Sequence, residues 1–209
     1  MSTPISLKDA ERKAFQSTFA DGLWDVFIGC SFPLQLTIAP LLSHRMGDFW
    51  SSAVFLPFWA AVYLVIWLVR KKVVAPRIGR VEFGATRKKR VKKFSIMMLI
   101  VNVIAFTLGI VAALGFGRLP TAGPPIVMGL TLLIGFSTAG YFLDFPRLYV
   151  YGLLGGLAPL VGEWLYQNMG ASHHGFPIVF GTLAGVMILT GLVTFARFLQ
   201  NNPLPAGDM

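Results

Sequence analysis

The sequence predicts an all-α, polytopic membrane protein of about six transmembrane helices with a short N-terminal amphipathic helix. Three observations predict it. Hydrophobic residues make up 55% of the 209 and charged residues only 13%, whereas a soluble domain carries roughly 25% charged residues. Six stretches are apolar over about 20 residues each, the length that crosses the hydrocarbon core of a bilayer. Finally, 16 of the 18 Lys and Arg residues fall on one side of those stretches, all but Arg45 and Arg118.

Residues 1–20 are expected to be a cytoplasmic amphipathic segment. They hold Lys8, Asp9, Glu11, Arg12 and Lys13 and no apolar core, unlike the positive-then-apolar order of a cleavable signal peptide. The first span is therefore expected to be retained. Ser6 followed by Asp9 is a capping-box pattern. Leu7, Ala10, Ala14 and Thr18 share one narrow face, with Phe15 and Phe19 beside it. Such a helix suits the membrane interface, or docking on the chain's own cytoplasmic loop or on a partner.

Residues 21–200 form the expected bundle, with spans at about 22–42, 51–70, 94–117, 125–143, 149–167 and 176–199. The first is the least apolar, interrupted by Asp25, Pro33 and Gln35. The fourth and fifth are separated only by Leu143 to Leu148, so one long kinked helix with a re-entrant piece is the alternative. Trp50, Trp59, Trp67, Tyr149, Tyr151, Trp164 and Tyr166 mostly fall near span ends, where amphipathic rings sit at the headgroup level. The pairs Gly152/Gly156 and Gly181/Gly185 place small residues four apart, which lets helix backbones approach in lipid. They predict close contact of the fifth and sixth spans.

Short-loop Lys/Arg bias sets orientation. With an even number of spans it puts both termini in the cytoplasm, together with the loop 71–93, the only sizeable polar segment. Within that loop Pro76 and Gly79 read as turns, and Val81 and Phe83 alternate as in a short strand. The run Arg87-Lys88-Lys89-Arg90-Val91-Lys92-Lys93 then leads into the third span and suits a continuation of its helix. Pro76-Arg77 after the second span is echoed by Pro146-Arg147 after the fourth, the kind of internal repeat transporters show. Residues 201–209 are a cytoplasmic tail. The outer loops, about 43–50, 118–124 and 168–175, are too short for a binding domain.

Four polar residues are candidate intramembrane groups. Asp21 and Asp25, four apart, would share one helix face, with Gln35 within about 40–80° of it. Such a stripe can line a proton or cation path. The same acids near a helix N-terminus also complement its dipole and can pair with Arg147 or Arg197. Glu163, near the outer end of the fifth span, is the other ionisable candidate, within reach of water or Arg118. His173 and His174 have no second cluster of ligand residues nearby in sequence, so a loop contact is expected rather than a metal. Cys30 alone forms no disulfide and no zinc set and reads as a small buried apolar residue. No cofactor is expected.

The basic loop supplies candidate lipid- or partner-docking residues: Arg77, Arg80, Arg87, Lys88, Lys89, Arg90, Lys92 and Lys93. Cations beside spans are attracted to anionic lipid by about 1 kcal/mol each and suit an acidic protein surface equally. These partners, rather than nucleic acid, account for a net charge of +9. No Gly-rich phosphate loop, Gly-x-Ser-x-Gly, His-Glu-x-x-His or Cys-x-x-Cys is present, so nothing argues for an enzyme.

Asp21-Gly22-Leu23-Trp24-Asp25-Val26-Phe27-Ile28-Gly29, taken with Pro76-Arg77-Ile78-Gly79-Arg80-Val81-Glu82-Phe83 and the basic run, resembles an uncharacterised group of small bacterial multi-span membrane proteins. An Asp-Gly opening motif and a Pro-Arg-Ile-Gly loop recur in that group. The resemblance covers the first half well and the second half poorly. It implies a bacterial inner-membrane protein and carries no activity. The expected function is that of a non-enzymatic structural or accessory subunit of a membrane assembly. The alternative is a small transporter or channel lined by Asp21, Asp25 and Gln35.

Overall fold

The computed structural model describes residues 15–78, 85–114 and 123–203, with side chains throughout except at 85–88, 109 and 111–114. Among the described residues there is no strand. The helices are α1 (Leu23–Cys30), α2 (Phe32–Ala53), α3 (Phe55–Val69), α4 (Ala75–Ile78), α5 (Ala85–Leu114), α6 (Gly123–Leu143), α7 (Arg147–Met169) and α8 (Phe176–Asn201). Five stretches among them are long and apolar enough to cross a bilayer: Leu23–Ala53, Lys89–Leu108, Gly123–Leu143, Arg147–Met169 and His173–Asn201. The chain is an all-α, multi-pass membrane protein.

The expected second span corresponds to α3, whose 15 residues are apolar throughout. At 1.5 Å per residue it reaches about 22 Å, short of a core about 30 Å thick. Its helical backbone does not stop there. It passes through a π turn, Arg70–Val74, in which the Ala75 N–H donates to the Arg70 carbonyl, and on into α4. Pro76 was expected to mark a turn but lies inside this helical run. Proline has no N–H and crowds the carbonyl four residues back, so the looser π ladder just before it is the local accommodation. The Arg77 guanidinium donates to the Val73 carbonyl at 2.7 Å. Gly79, Val81 and Phe83, read as a turn and strand, lie outside the described residues.

Two compact units divide the chain, residues 1–83 with 184–209 and residues 84–183. In the first unit, α1 stops at Ser31 (φ −83°, ψ −108°), whose hydroxyl donates to the Ile28 carbonyl at 2.8 Å. Pro33 follows as an opening residue of α2, where its missing N–H costs nothing. The expected outer loop at 43–50 is instead helical, interrupted at Gly47, which has φ 75° and ψ 160°. The core of this unit is Leu23, Ile66 and Val74, ringed by Phe27, Val62, Val69, Phe195 and Phe198. A run of rings, Phe15–Phe19–Trp24–Phe27–Tyr63, has successive centroids 5.4, 6.0, 5.8 and 6.2 Å apart. Phe15 and Phe19 are buried, so the end of the N-terminal segment packs on the chain itself. Residues 1–14 of that segment lie outside the described residues.

In the second unit the basic run 87–93 continues α5 as one helix. Only Arg90, Phe94, Met98, Val101 and Ala105 of residues 89–108 are half-buried, and the rest are exposed. That is one stripe at 3.6-residue spacing. It faces α6, where Phe94 and Phe142 lie 6.2 Å apart. The chain turns at Asp144, so the fourth and fifth spans are two separate helices. The glycines of α7 are used differently from expectation. A Cβ on Gly152 would sit 2.9 Å from Phe136 Cβ, and one on Gly129 would sit 2.3 Å from the Gly156 carbonyl oxygen. Gly152 and Gly156 therefore bring α7 onto α6, the fourth span, while the expected contact of the fifth and sixth spans is made elsewhere, at Gly162, where a Cβ would lie 3.2 Å from Val179 Cγ2.

Candidate functional site

Asp21 does not share a helix face with Asp25, because it precedes α1. Its Oδ1 accepts the Leu23 N–H at 3.1 Å, satisfying one orphan donor of the helix start. Its Oδ2 accepts from Arg70 Nε and Nη2 at 3.0 and 2.9 Å. Arg70 Nη2 also donates to the Thr18 carbonyl, and the guanidinium lies over the Trp24 ring, 5.4 Å from its centroid. Asp21 is 1% exposed and Arg70 26%. The partner of Asp21 is thus the first cation after α3, not Arg147 or Arg197.

The second unit holds a matching arrangement. Arg90 Nη1 and Nη2 donate to Asp144 Oδ2 and Oδ1 at 3.0 and 3.4 Å, and Nη2 donates to the Tyr141 carbonyl at 2.6 Å. The guanidinium lies 5.5 Å from the Tyr141 ring centroid. Asp144 itself sits at φ 51° in the turn before α7. Each clamp joins a carboxylate, a carbonyl and an aromatic face through one planar fork, a combination that arginine provides and lysine does not.

Glu163 lies in the C-terminal half of α7. Its Oε1 accepts from Gln167 Nε2 at 2.8 Å, and its Oε2 faces His174 Nδ1 at 2.9 Å. The His174 ring rests 4.4 Å from that of Tyr166. His173, His174 and Gly175 all have positive φ. Such a turn is costly for histidine, and close backbone contact holds it: a Cβ on Gly162 would lie 2.7 Å from the His174 carbonyl oxygen. The His174 side chain is 58% exposed and that of Glu163 12%. A pair this open contributes at most about 1 kcal/mol. Glu163→Gln should therefore raise the exchange rates of amides 172–176 by about three- to fivefold, with little change in overall melting. Unchanged exchange would show that the glycine contact alone holds the turn.

Of the other candidates, Asp25 is fully buried on α1. Gln35 is half-buried on α2, and the break at Ser31 ends the helical phase that would have aligned it with the two acids. Arg77 is half-buried and its Nη1 is taken by Val73. Arg90 is committed to Asp144. Lys89, Lys92 and Lys93 are exposed. Arg87 and Lys88 lie on the α5 backbone with side chains outside the described set, and Arg80 lies outside it altogether. Among the described residues, no three of His, Cys, Asp and Glu gather as a metal site. Sequence reasoning missed Arg70, Asp144 and Gln167 as partners. The available signal was weak: Arg70 opens the first cationic run after an apolar span, and Asp144 stands two residues before Pro146.

No family model, curated protein or solved structure matches this chain.

Proposed function

We propose that this protein is a non-enzymatic structural or accessory subunit of a membrane protein assembly, docked on its partner through α3. The observation that carries the reading is the uncovered face of that helix. Phe55, Val62, Ile66 and Val69 turn inward or are half-buried, while Pro57, Ala60, Ala61, Leu64 and Leu68 on the opposite side are exposed. Lipid tails solvate leucine as well as a helix does, so helices associate where small residues let backbones close in. Ala60 and Ala61 beside Leu64 and Leu68 supply that shape for a partner's transmembrane helix.

Asp21 and Glu163 support the same reading. Both are engaged in holding the chain together, one as cap and clamp, the other as a turn anchor. The Lys/Arg distribution favours a cytoplasmic basic segment and cytoplasmic termini, with α3 and its helical extension counted as a span. The resemblance of the 21–29 and 76–83 segments favours a bacterial inner membrane. The alternative, a small transporter or channel, turns on Asp25, the fully buried acid of α1.

A photoreactive residue placed at Leu64 tests the docking face in native membranes. A discrete protein adduct of one mass is expected at Leu64 and not at Leu99 of α5. Lipid adducts alone at both positions would overturn the docking of α3.

A further inference from the structure

We infer that the outward face of α5 is a binding site for an anionic phospholipid, the phosphate held by Lys89, Lys92 and Lys93 and the acyl chains lying along Ile96, Leu99 and Val103. The stripe of α5 that packs on α6 runs through Arg90, Phe94, Met98, Val101 and Ala105. At about 100° per residue, Lys89, Lys92, Ile96, Leu99 and Val103 fall on the opposite side, with Lys93 flanking them. All six are exposed. Arg90, next in sequence to Lys89, faces the other way and is already paired with Asp144. The cations of the run whose side chains are described, Lys89 to Lys93, are thus divided by helical phase into one that closes the unit and three that project from it.

Two features identify the occupant. Cations sit at one end of the face and an unbroken apolar strip at the other. Lys92 to Val103 covers about 16 Å, close to half of a hydrocarbon core about 30 Å thick. A molecule with an anionic head and chains one leaflet long matches that division. From Lys92 to Val103 the middle of the face carries no small residue: Ala105 lies on the α6 side, Ser95 at the edge, and Thr107 a turn beyond Val103. A partner helix would need such residues to approach, whereas flexible acyl chains fill the ridges between Ile96, Leu99 and Val103. Lysine suits the role, because its ammonium is a point charge on a flexible stem that reaches the headgroup level. The inference does not depend on the proposed function.

Native mass spectrometry of the full-length protein, titrated with phosphatidylglycerol or phosphatidylcholine of identical acyl chains, tests it. The wild type is expected to retain phosphatidylglycerol at least fivefold better. The triple variant Lys89→Gln, Lys92→Gln, Lys93→Gln should lose most of that preference, and the corresponding triple Arg variant should keep it. Lys71→Gln with Lys72→Gln, on the π turn, should leave it largely intact. Preference unchanged in the triple Gln variant, or abolished equally by the Lys71/Lys72 variant, would overturn the site. Should the triple Gln variant not fold, Leu99→Trp in the wild-type background supplies a second reading. Its fluorescence should be quenched more by a brominated phosphatidylglycerol than by the brominated phosphatidylcholine, and equal quenching would refute the assignment. Glycerol phosphate without chains should not compete; effective competition would mean a phosphate site and no lipid site.

Discussion

Asp21→Ala is expected to destabilise the protein by about 3–5 kcal/mol, the usual cost of removing one partner from a buried ion pair. The carboxylate is 1% exposed and holds three donors: the Leu23 N–H and two nitrogens of Arg70. Removing it opens the start of α1 and strands a guanidinium among Trp24, Thr18 and the core. Asp21→Asn keeps an oxygen for the Leu23 N–H and loses the charge, so its cost should be smaller, about 2–3 kcal/mol. Arg70→Gln should cost about as much as Asp21→Asn. The double variant Asp21→Asn, Arg70→Gln should fall well short of the sum, with a coupling of about 2 kcal/mol. Reversible unfolding in mild detergent measures all four. Additive losses would mean that the two side chains act independently, and the clamp would be no more than a near approach.

Gly191→Ala should cost about 2–3 kcal/mol, while Gly185→Ala on the same helix should be neutral or stabilising by up to about 1 kcal/mol. A Cβ at Gly191 would lie 2.7 Å from the Gly22 carbonyl oxygen and 2.8 Å from the Val26 nitrogen, whereas one at Gly185 meets nothing within 4 Å. Backbone atoms cannot rotate out of the way as a side chain can, so the strain must move α1 relative to α8. Gly22→Ala should be worse still. Its Cβ would sit 2.3 Å from the Gly191 carbonyl oxygen at φ 75°, a left-handed conformation that costs a non-glycine residue about 1 kcal/mol or more. Equal melting temperatures for the Gly185 and Gly191 variants would show that this crossing is looser than described.

The helices were legible because their signal is additive. Twenty apolar residues leave little doubt about the solvent, and the last three of the six expected spans agree with α6 to α8 within about two residues, while α5 begins nine residues before the expected third span, at Ala85. The first two spans were read less well. There the boundaries are set by single backbone events, the break at Ser31 and the kink at Gly47, which carry no hydropathy signal. The π turn at Arg70–Val74 was illegible for the same reason, since a register shift of one residue leaves composition unchanged. Pairing was the least legible property. Asp21 joins Arg70 and Arg90 joins Asp144 across 49 and 54 residues, and no local spacing encodes such partners. The glycines show the limit of motif reading. Gly152 and Gly156 do mark a close helix crossing, but the motif does not say with which neighbour, and Gly185, half of an equally good motif, faces open space.

The proposed role makes this chain one subunit of a larger membrane assembly, with its acids holding its own helices in place. Native mass spectrometry after gentle extraction from the source membrane tests that most directly. A stoichiometric complex with at least one other membrane protein, lost when Ala60 and Ala61 are both replaced by Leu, is the predicted result. A lone monomer or homodimer that supports ion flux in vesicles, with flux abolished by Asp25→Asn in a protein that still folds, would contradict the claim and install the transporter in its place.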